Sequence, residues 1–216
     1  MENTNKGVDR RKFLKQASLA TLASGALLSW TPPLPPTAVS GLNDLNIVGP
    51  KEGFTPQVGT LVSMMNWMRF VILRPVEGMS VKDLDYLVDD KANSIGAMLY
   101  HLAATERFYQ IHTFENRDWG DWDKADAEEF GIAMGLGDNA RASIKGNPLE
   151  FYMEKLERVR ATSLEELAKR DDDWLLAVDE AWPWGPTNNY CKWFHVVEHE
   201  SNHNGQFKFI KSRLPA

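Results

Sequence analysis

Residues 195–203 read HVVEHESNH and place three of the five histidines of this 216-residue chain within nine positions. The flanking Trp193, Phe194, Val196 and Val197 are apolar, which is typical of a largely buried helix. Residues four apart are neighbours on a helix, so a His-x-x-x-His pair can direct two imidazoles at one ion. Burying imidazoles without partners costs about 1 to 3 kcal/mol each, so the pattern favours a metal site over a solvated face.

The helical rise limits which histidines can share an ion. His195 and His203 are eight positions apart, about 12 Å at 1.5 Å per residue, so the ligand pair must contain His199. We expect His199 and His203 to bind together with His101 from a facing helix, leaving positions open for water or substrate. His195 and Glu200 are then candidates for catalytic proton transfer, and His195 is also an alternative ligand.

Other residues with metal-binding or nucleophilic groups are expected outside this ligand set. His112 follows His101 by eleven positions, about 16 Å along a helix, and is expected to be capped or solvated near a helix end. Cys191 is expected to be a small buried core residue rather than a ligand or nucleophile. Glu106 and Glu198 are candidate bases or partners for imidazole N–H groups.

Apolar residues repeat every three to four positions in four segments and predict four main helices. Thr55-Pro56 and Asn147-Pro148 place a capping residue before a proline, which is a common helix start. Asn188 or Asn189 caps the last helix. The four helices are expected over approximately 56–74, 94–114, 148–159 and 189–213.

The connections contain shorter elements. A short helix is expected over 126–134, and Ser163 with Glu166 forms a capping box that starts another through Leu167. Residues 171–187, rich in Trp and Pro, are expected to form a loop over one end of a bundle. No segment alternates apolar and polar residues, so strands are not expected. The predicted fold is all-α, a four-helix bundle whose long connections indicate at least one crossover.

The N-terminus is expected to be a targeting segment. Residues 10–15 read RRKFLK and precede the weakly apolar stretch 17–30, which is the pattern of a twin-arginine export signal. That stretch is shorter than the roughly 20 residues of a spanning helix, which disfavours an uncleaved anchor. We expect a signal peptide over 1–40, a linker over 41–53 and one domain over 54–216, in a periplasmic or otherwise extracytoplasmic protein.

Composition and charge restrict the partners. With 43% hydrophobic and 25% charged residues, the chain is an ordinary globular protein. Beyond residue 40 it carries 19 basic and 28 acidic side chains, a balance that repels phosphate backbones and anionic lipid. We therefore expect a small-molecule substrate, no nucleic acid and no stable membrane insertion after cleavage, and we leave a homodimer open. The lone Cys191 excludes an internal disulfide.

Two segments resemble the DinB-like superfamily of metal-dependent proteins. They are residues 93–106, NSIGAMLYHLAATE, and residues 194–206, FHVVEHESNHNGQ. The resemblance extends over roughly residues 54 to 214, the size of one domain. It implies a four-helix bundle of unusual connectivity, with a nickel- or zinc-type site made by one histidine of the second helix and a His-x-x-x-His pair of the last.

The resemblance assigns the ligand roles to His101, His199 and His203, while Asn204 stands where an arginine is common in the family. Characterised members include thiol-dependent transferases and isomerases in which a metal activates a small thiol, and others are called hydrolases by analogy. Because such thiols are largely cytoplasmic, an exported member favours metal-activated water. Fold alone does not settle the chemistry.

The expected function is that of a metal-dependent hydrolase or transferase in which a histidine-bound divalent ion, zinc or nickel, activates water or a thiol. One alternative is a non-catalytic metal- or ligand-binding protein of the envelope. A second is a ferritin-like di-iron protein, because Glu200 and His203 form a Glu-x-x-His pair. That site needs a second such pair, which no other predicted helix supplies.

Overall fold

The computed structural model describes residues 44–215, and the predicted signal peptide over 1–40 lies outside them. The described part is 64% helical and contains only one small two-stranded sheet, which confirms the all-α prediction. None of the helices in 44–215 is both long and apolar enough to cross a bilayer. The helices are α1 (Pro56–Leu73), α2 (Val81–Leu84), α3 (Ile95–Thr113), α4 (Lys124–Gly135), α5 (Gly137–Ser143), α6 (Leu149–Leu167), α7 (Asp172–Leu176) and α8 (Asn189–Lys211).

Polar side chains cap the helices that carry the histidines. Ser94 accepts a hydrogen bond from the Ala97 amide at 3.2 Å at the start of α3, and Asn188 accepts from the Cys191 amide at 2.9 Å at the start of α8. These caps satisfy amides that have no partner within the helix. The predicted starts of both helices are confirmed.

The start of α1 is capped by a residue that is distant in the sequence. Thr55 occupies the capping position, but its side chain accepts no helix amide and its hydroxyl donates to Asp172 instead. The Asp172 carboxylate accepts from the amides of Gln57 at 3.0 Å and Val58 at 3.2 Å. The first residue of α7 therefore supplies the negative charge that the N-terminus of α1 favours.

The helix order contains the predicted crossover. Along the contact between α3 and α6, Glu106 bonds to Arg160 and, further along, Gln110 bonds to Ser163. The residue numbers of both helices increase in the same direction along this contact. These two consecutive main helices are therefore parallel. The connection 114–148, which carries α4 and α5, must therefore return the chain to the opposite end of the bundle. A plain up-and-down order would make them antiparallel.

The α3 helix is the centre of the bundle. It packs against α4, α6 and α8, and nearly all of its side chains are buried. Gly96 permits a close approach of α6, because a Cβ there would lie 2.7 Å from the hydroxyl oxygen of Tyr152. A helix surrounded on three sides is a protected position for polar groups that must meet side chains from other helices.

A buried ion-pair cluster joins the four main helices. We call it the charge cluster, and it consists of Arg69 from α1, Glu106 from α3, Arg160 from α6 and Glu200 from α8. Nη2 of Arg69 lies 2.7 Å from Glu106 Oε2 and 2.6 Å from Glu200 Oε1. Nη2 of Arg160 lies 3.0 Å from Glu200 Oε1, and its Nε lies 2.7 Å from Glu106 Oε1.

The four charges of the cluster balance one another. Burial by itself raises the pKa of Glu106, but the guanidinium groups of Arg160 and Arg69 outweigh burial and hold the pKa below its ordinary value. The guanidinium groups also donate to backbone carbonyls, from Arg160 to Met65 at 3.0 Å and from Arg69 to Leu156 at 3.1 Å. These bonds join α1 to α6.

The structure corrects the predictions for the connections. Ser163 lies inside a continuous α6 and accepts from Gln110 Nε2 at 2.8 Å, so the predicted capping box is wrong. The short helices α2, α5 and α7 were not expected. Neither were two-residue strands β1 (Val178–Asp179) and β2 (Thr187–Asn188), which pair antiparallel. They are too short to show the alternation that identifies strands.

Replacing Arg160 with methionine is expected to lower the free energy of unfolding by about 3 to 5 kcal/mol, because it leaves two buried carboxylates with one guanidinium. Urea denaturation followed by circular dichroism measures the loss. Arg158→Met is the matched control on the same helix, since Arg158 pairs with Glu129 at the surface. The control should change stability by less than about 1 kcal/mol, and equal losses for both variants would contradict a special role for the charge cluster.

Candidate metal centre

Three imidazoles converge at the contact between α3 and α8. Nε2 of His199 lies 2.9 Å from Nε2 of His101 and 3.2 Å from Nε2 of His203. All three nitrogens lie within 4.8 Å of one another. A tetrahedral zinc ion with Zn–N bonds of 2.0–2.1 Å separates its ligand nitrogens by about 3.3 Å. The donor set therefore fits one ion.

The other ring nitrogens are held by neighbouring groups. Nδ1 of His101 lies 3.0 Å from the carbonyl oxygen of Ala133 in α4, and a carbonyl can only accept, so Nδ1 carries the proton. Nδ1 of His203 lies 3.3 Å from the thioether sulfur of Met98, a weaker acceptor. Both contacts leave the Nε2 lone pairs free, and such partners orient metal-binding imidazoles.

These tautomers make a cation favourable between the rings. With Nδ1 protonated on His101 and His203, their Nε2 atoms are both acceptors. His199 has one Nε2 position, so it can donate to at most one of them. In either tautomer of His199, at least one of the two short contacts therefore sets an Nε2 lone pair against a ring nitrogen with no proton between them. That contact is repulsive unless a positive charge lies there. This is the feature that best supports a metal ion.

The electrostatics keep the rings neutral and able to bind a metal. Burial lowers the pKa of His199 to about 3, with further lowering from His203 and His101. Burial, and to a smaller extent the charge of His101, lowers the pKa of His203 to about 4. Burial also lowers the pKa of His101, against the bond to Ala133. Neutral imidazole is the form that coordinates metal.

Glu200, predicted to transfer protons, lies in the charge cluster. Its Oε1 accepts from both guanidinium groups and its side chain is almost completely buried. These contacts favour a structural role, and the proton-transfer role stays a prediction. Glu106 has the same surroundings, while the exposed Glu198 has its Oε2 3.8 Å from Nε2 of His195.

Sequence reasoning missed the two arginines of the charge cluster. Arg160 continues the apolar stripe of α6 one turn after Leu156, and Arg69 does so one turn after Met65 in α1. A charged residue on the buried face of a helix needs a partner. That position was the available signal, although it does not identify the partner.

His195 borders the three histidines without joining them. Its ring centroid lies 5.5 Å from that of His199, and its Nδ1 lies 2.9 Å from the hydroxyl of Tyr109. The imidazole is about one third exposed, so it is accessible to solvent beside His199. Tyr109 was not expected near the site, because nothing in its spacing distinguishes it from a core residue.

The expectation for His112, which lies in the last turn of α3, is confirmed in part, and the expectation for Cys191 is wrong. His112 is buried and not solvated, with its Nδ1 donating to the Arg117 carbonyl at 2.9 Å and its ring stacked on Trp119. Cys191 is exposed and not part of the core. Both lie near helix ends, where loops decide burial.

The arrangement disfavours the di-iron alternative. Within residues 44–215, His101, His199 and His203 form the one group of three or more metal-binding side chains close enough to share an ion. That group contains no carboxylate, and Glu200 of the Glu-x-x-His pair is bound by arginines. A ferritin-like site needs several carboxylates facing the metals.

Comparison with known proteins gives a family and a fold. A sequence profile described as mycothiol-S-transferase matches residues 60–214, which include all three histidines. A search of the curated proteins finds no match. A crystal structure described as a conserved protein of locus from Enterococcus faecalis is similar at 15% identity with a TM-score of 0.53, over 70% of this chain and 92% of that chain. At this identity the similarity concerns the fold.

The metal-free protein should lose stability as the pH falls from 6.5 to 5. The three histidines have lowered pKa values when folded, whereas unfolded ones titrate near 6.5, so the unfolded state binds more protons in this range. Thermal melting after chelation measures the loss, which should be smaller in His199→Asn. An identical loss in that variant would show that His199 is not responsible.

Proposed function

Because the chain belongs to the mycothiol-S-transferase family, a DinB-like family, we propose that it is a metalloenzyme in which His101, His199 and His203 hold one divalent ion, zinc or nickel. The family suggests a metal-dependent transferase or hydrolase. The observation that carries the proposal is the convergence of three neutral Nε2 atoms that cannot all satisfy one another by hydrogen bonding.

The residues around the ion have distinct tasks. A bound divalent ion lowers the pKa of a thiol or of water, which supplies a nucleophile near neutral pH. Ala133 and Met98 hold the rings of His101 and His203, and His199 lies at the partly exposed side of the group. We assign proton acceptance to His195, whose ring lies beside His199 and is oriented by the Tyr109 hydroxyl.

The family name favours a thiol as the nucleophile. In such a transfer the sulfur forms a bond to an electrophilic carbon of the acceptor. The bond from that carbon to its leaving group breaks, and the leaving group departs with the electron pair. The thiol proton passes to His195 and from there to solvent. The three imidazoles would hold the ion, whose charge would favour the thiolate form of the nucleophile.

Metal-activated water is the second candidate, and the RRKFLK motif at residues 10–15 favours it. We propose that residues 1–40 direct export by the twin-arginine pathway, to a compartment with little low-molecular-weight thiol.

Replacing Arg10 and Arg11 with lysine should retain the protein in the cytoplasm, as measured by cell fractionation. An unchanged distribution would remove the support for the water mechanism.

The metal proposal predicts one ion per chain for the full-length protein and less than one tenth of that for His101→Ala, His199→Ala and His203→Ala, because two imidazoles hold a divalent ion poorly. Elemental analysis after purification measures the metal content.

With mycothiol and 1-chloro-2,4-dinitrobenzene as substrates, the metal-loaded protein should form the thioether and release chloride. The metal-poor variants should lose at least a hundredfold in rate, since they lack the activating charge.

His112→Asn is the matched control, because it removes a buried histidine outside the site while keeping a donor near the Arg117 carbonyl. It should retain metal and rate. Full metal content in His101→Ala would overturn the ligand assignment. Metal without thioether formation would reject thiol transfer. Loss of helical circular dichroism after chelation would favour an ion that only stabilises the bundle over a catalytic one.

A further inference from the structure

Three tryptophans form one aromatic surface near the candidate metal centre. We call Trp119, Trp182 and Trp184 the aromatic face. The ring centroid of Trp182 lies 4.8 Å from that of Trp119 and 5.9 Å from that of Trp184. Trp119 is 49% exposed and Trp184 is 50% exposed, while Trp182 is buried between them. Clustered exposed aromatic surface is typical of binding sites rather than of inert protein surface.

Contacts with buried side chains hold the aromatic face rigidly. The ammonium of the buried Lys192 lies 4.0 Å from the ring centroid of Trp182 and 2.8 Å from Asp179 Oδ2. This cation–π contact is strong because the lysine is desolvated. The buried rings of Tyr109 and His112 also pack against Trp182. A ligand that binds here therefore orders few side chains, which lowers the entropic cost of binding.

The loop that carries two of the tryptophans is also restrained. Strands β1 and β2 pair Val178 with Asn188, so they close the ends of the loop. Within it, Gly185 has a φ of +97° and its amide donates to the Trp182 carbonyl at 2.8 Å. Pro183 and Pro186 fix further backbone angles. The hairpin therefore presents Trp184 in a defined position.

The aromatic face is continuous with the three histidines. The ring centroid of Trp184 lies 5.1 Å from that of His195, which in turn lies 5.5 Å from that of His199. His195 and His199 are both partly exposed, so the path from Trp184 to the ligands follows accessible surface. A molecule seated on Trp184 is thus beside the group proposed to accept the proton.

We propose that the aromatic face binds a planar aromatic ring of the acceptor substrate and so selects aromatic electrophiles. This inference rests on the proposed function, because the proposed transfer defines what the acceptor substrate is. Binding of the ring itself does not require a metal. Aromatic rings prefer offset or edge-to-face contacts, which the exposed indoles of Trp119 and Trp184 offer. The exposed carboxylates of Asp118 and Asp121 flank Trp119, so the bound substrate ring is neutral or cationic rather than anionic.

Calorimetric titration of the full-length protein with naphthalene-2-carboxamide tests the proposal. Trp119→Ala and Trp184→Ala should each weaken binding about 3- to 10-fold, because each removes one aromatic contact. Trp184→Phe should retain part of the affinity. Trp67→Ala is the matched control, since Trp67 is an exposed tryptophan of α1 outside the aromatic face. It should bind as the unaltered protein does. The saturated analogue, decahydronaphthalene-2-carboxamide, should bind more weakly.

His199→Ala separates the two proposals, because it should bind the naphthalene ring normally whether or not a metal is present. Unchanged affinity in both tryptophan variants, or equal affinity for the saturated analogue, would overturn the aromatic site. Sedimentation of Trp184→Ala adds a further check. A dimer that dissociates on this substitution would show that a second copy covers the aromatic face, which also overturns the proposal. Unchanged circular dichroism of Trp184→Phe excludes unfolding as the cause of weaker binding.

Discussion

Four charged side chains, one from each main helix, meet in the interior of this bundle, and the rest of the structure depends on their mutual neutralisation. A buried carboxylate without a partner is costly, so Glu106 and Glu200 require both Arg69 and Arg160. Each arginine also donates to a backbone carbonyl of another helix. These ion pairs and hydrogen bonds favour one relative register of the helices, which a purely apolar interface would not specify.

That register places the three candidate metal ligands. Glu200 follows His199 directly, and Glu106 lies little more than one turn after His101. Holding the two carboxylates against common arginines therefore brings His101 opposite the His199 and His203 pair. The crossover adds a second constraint, because it lays α4 against α3 and supplies the Ala133 carbonyl that orients His101. The unusual helix order and the proposed chemistry are connected through this one hydrogen bond.

The surface beside the histidines divides into parts with different chemistry. Three neutral imidazoles offer lone pairs for an ion, His195 offers a proton acceptor, and the aromatic face offers apolar area. Tyr109 connects two of these parts, because its hydroxyl contacts His195 and its ring packs near Trp182. In this arrangement the ion would determine the reaction class, while the loops 114–123 and 180–186 would determine the substrate.

The sequence by itself determined the four main helices and the histidine group. Helical periodicity located the main elements, capping residues located the starts of α3 and α8, and the spacing of His199 and His203 needs only the helical repeat. Tertiary structure alone decided the partner of Glu200, the burial of His112, the exposure of Cys191 and the assembly of the aromatic face. The reason is that periodicity states which face of a helix is buried but not what that face meets. Arg69 and Glu200 are 131 positions apart, and no local pattern records such a contact.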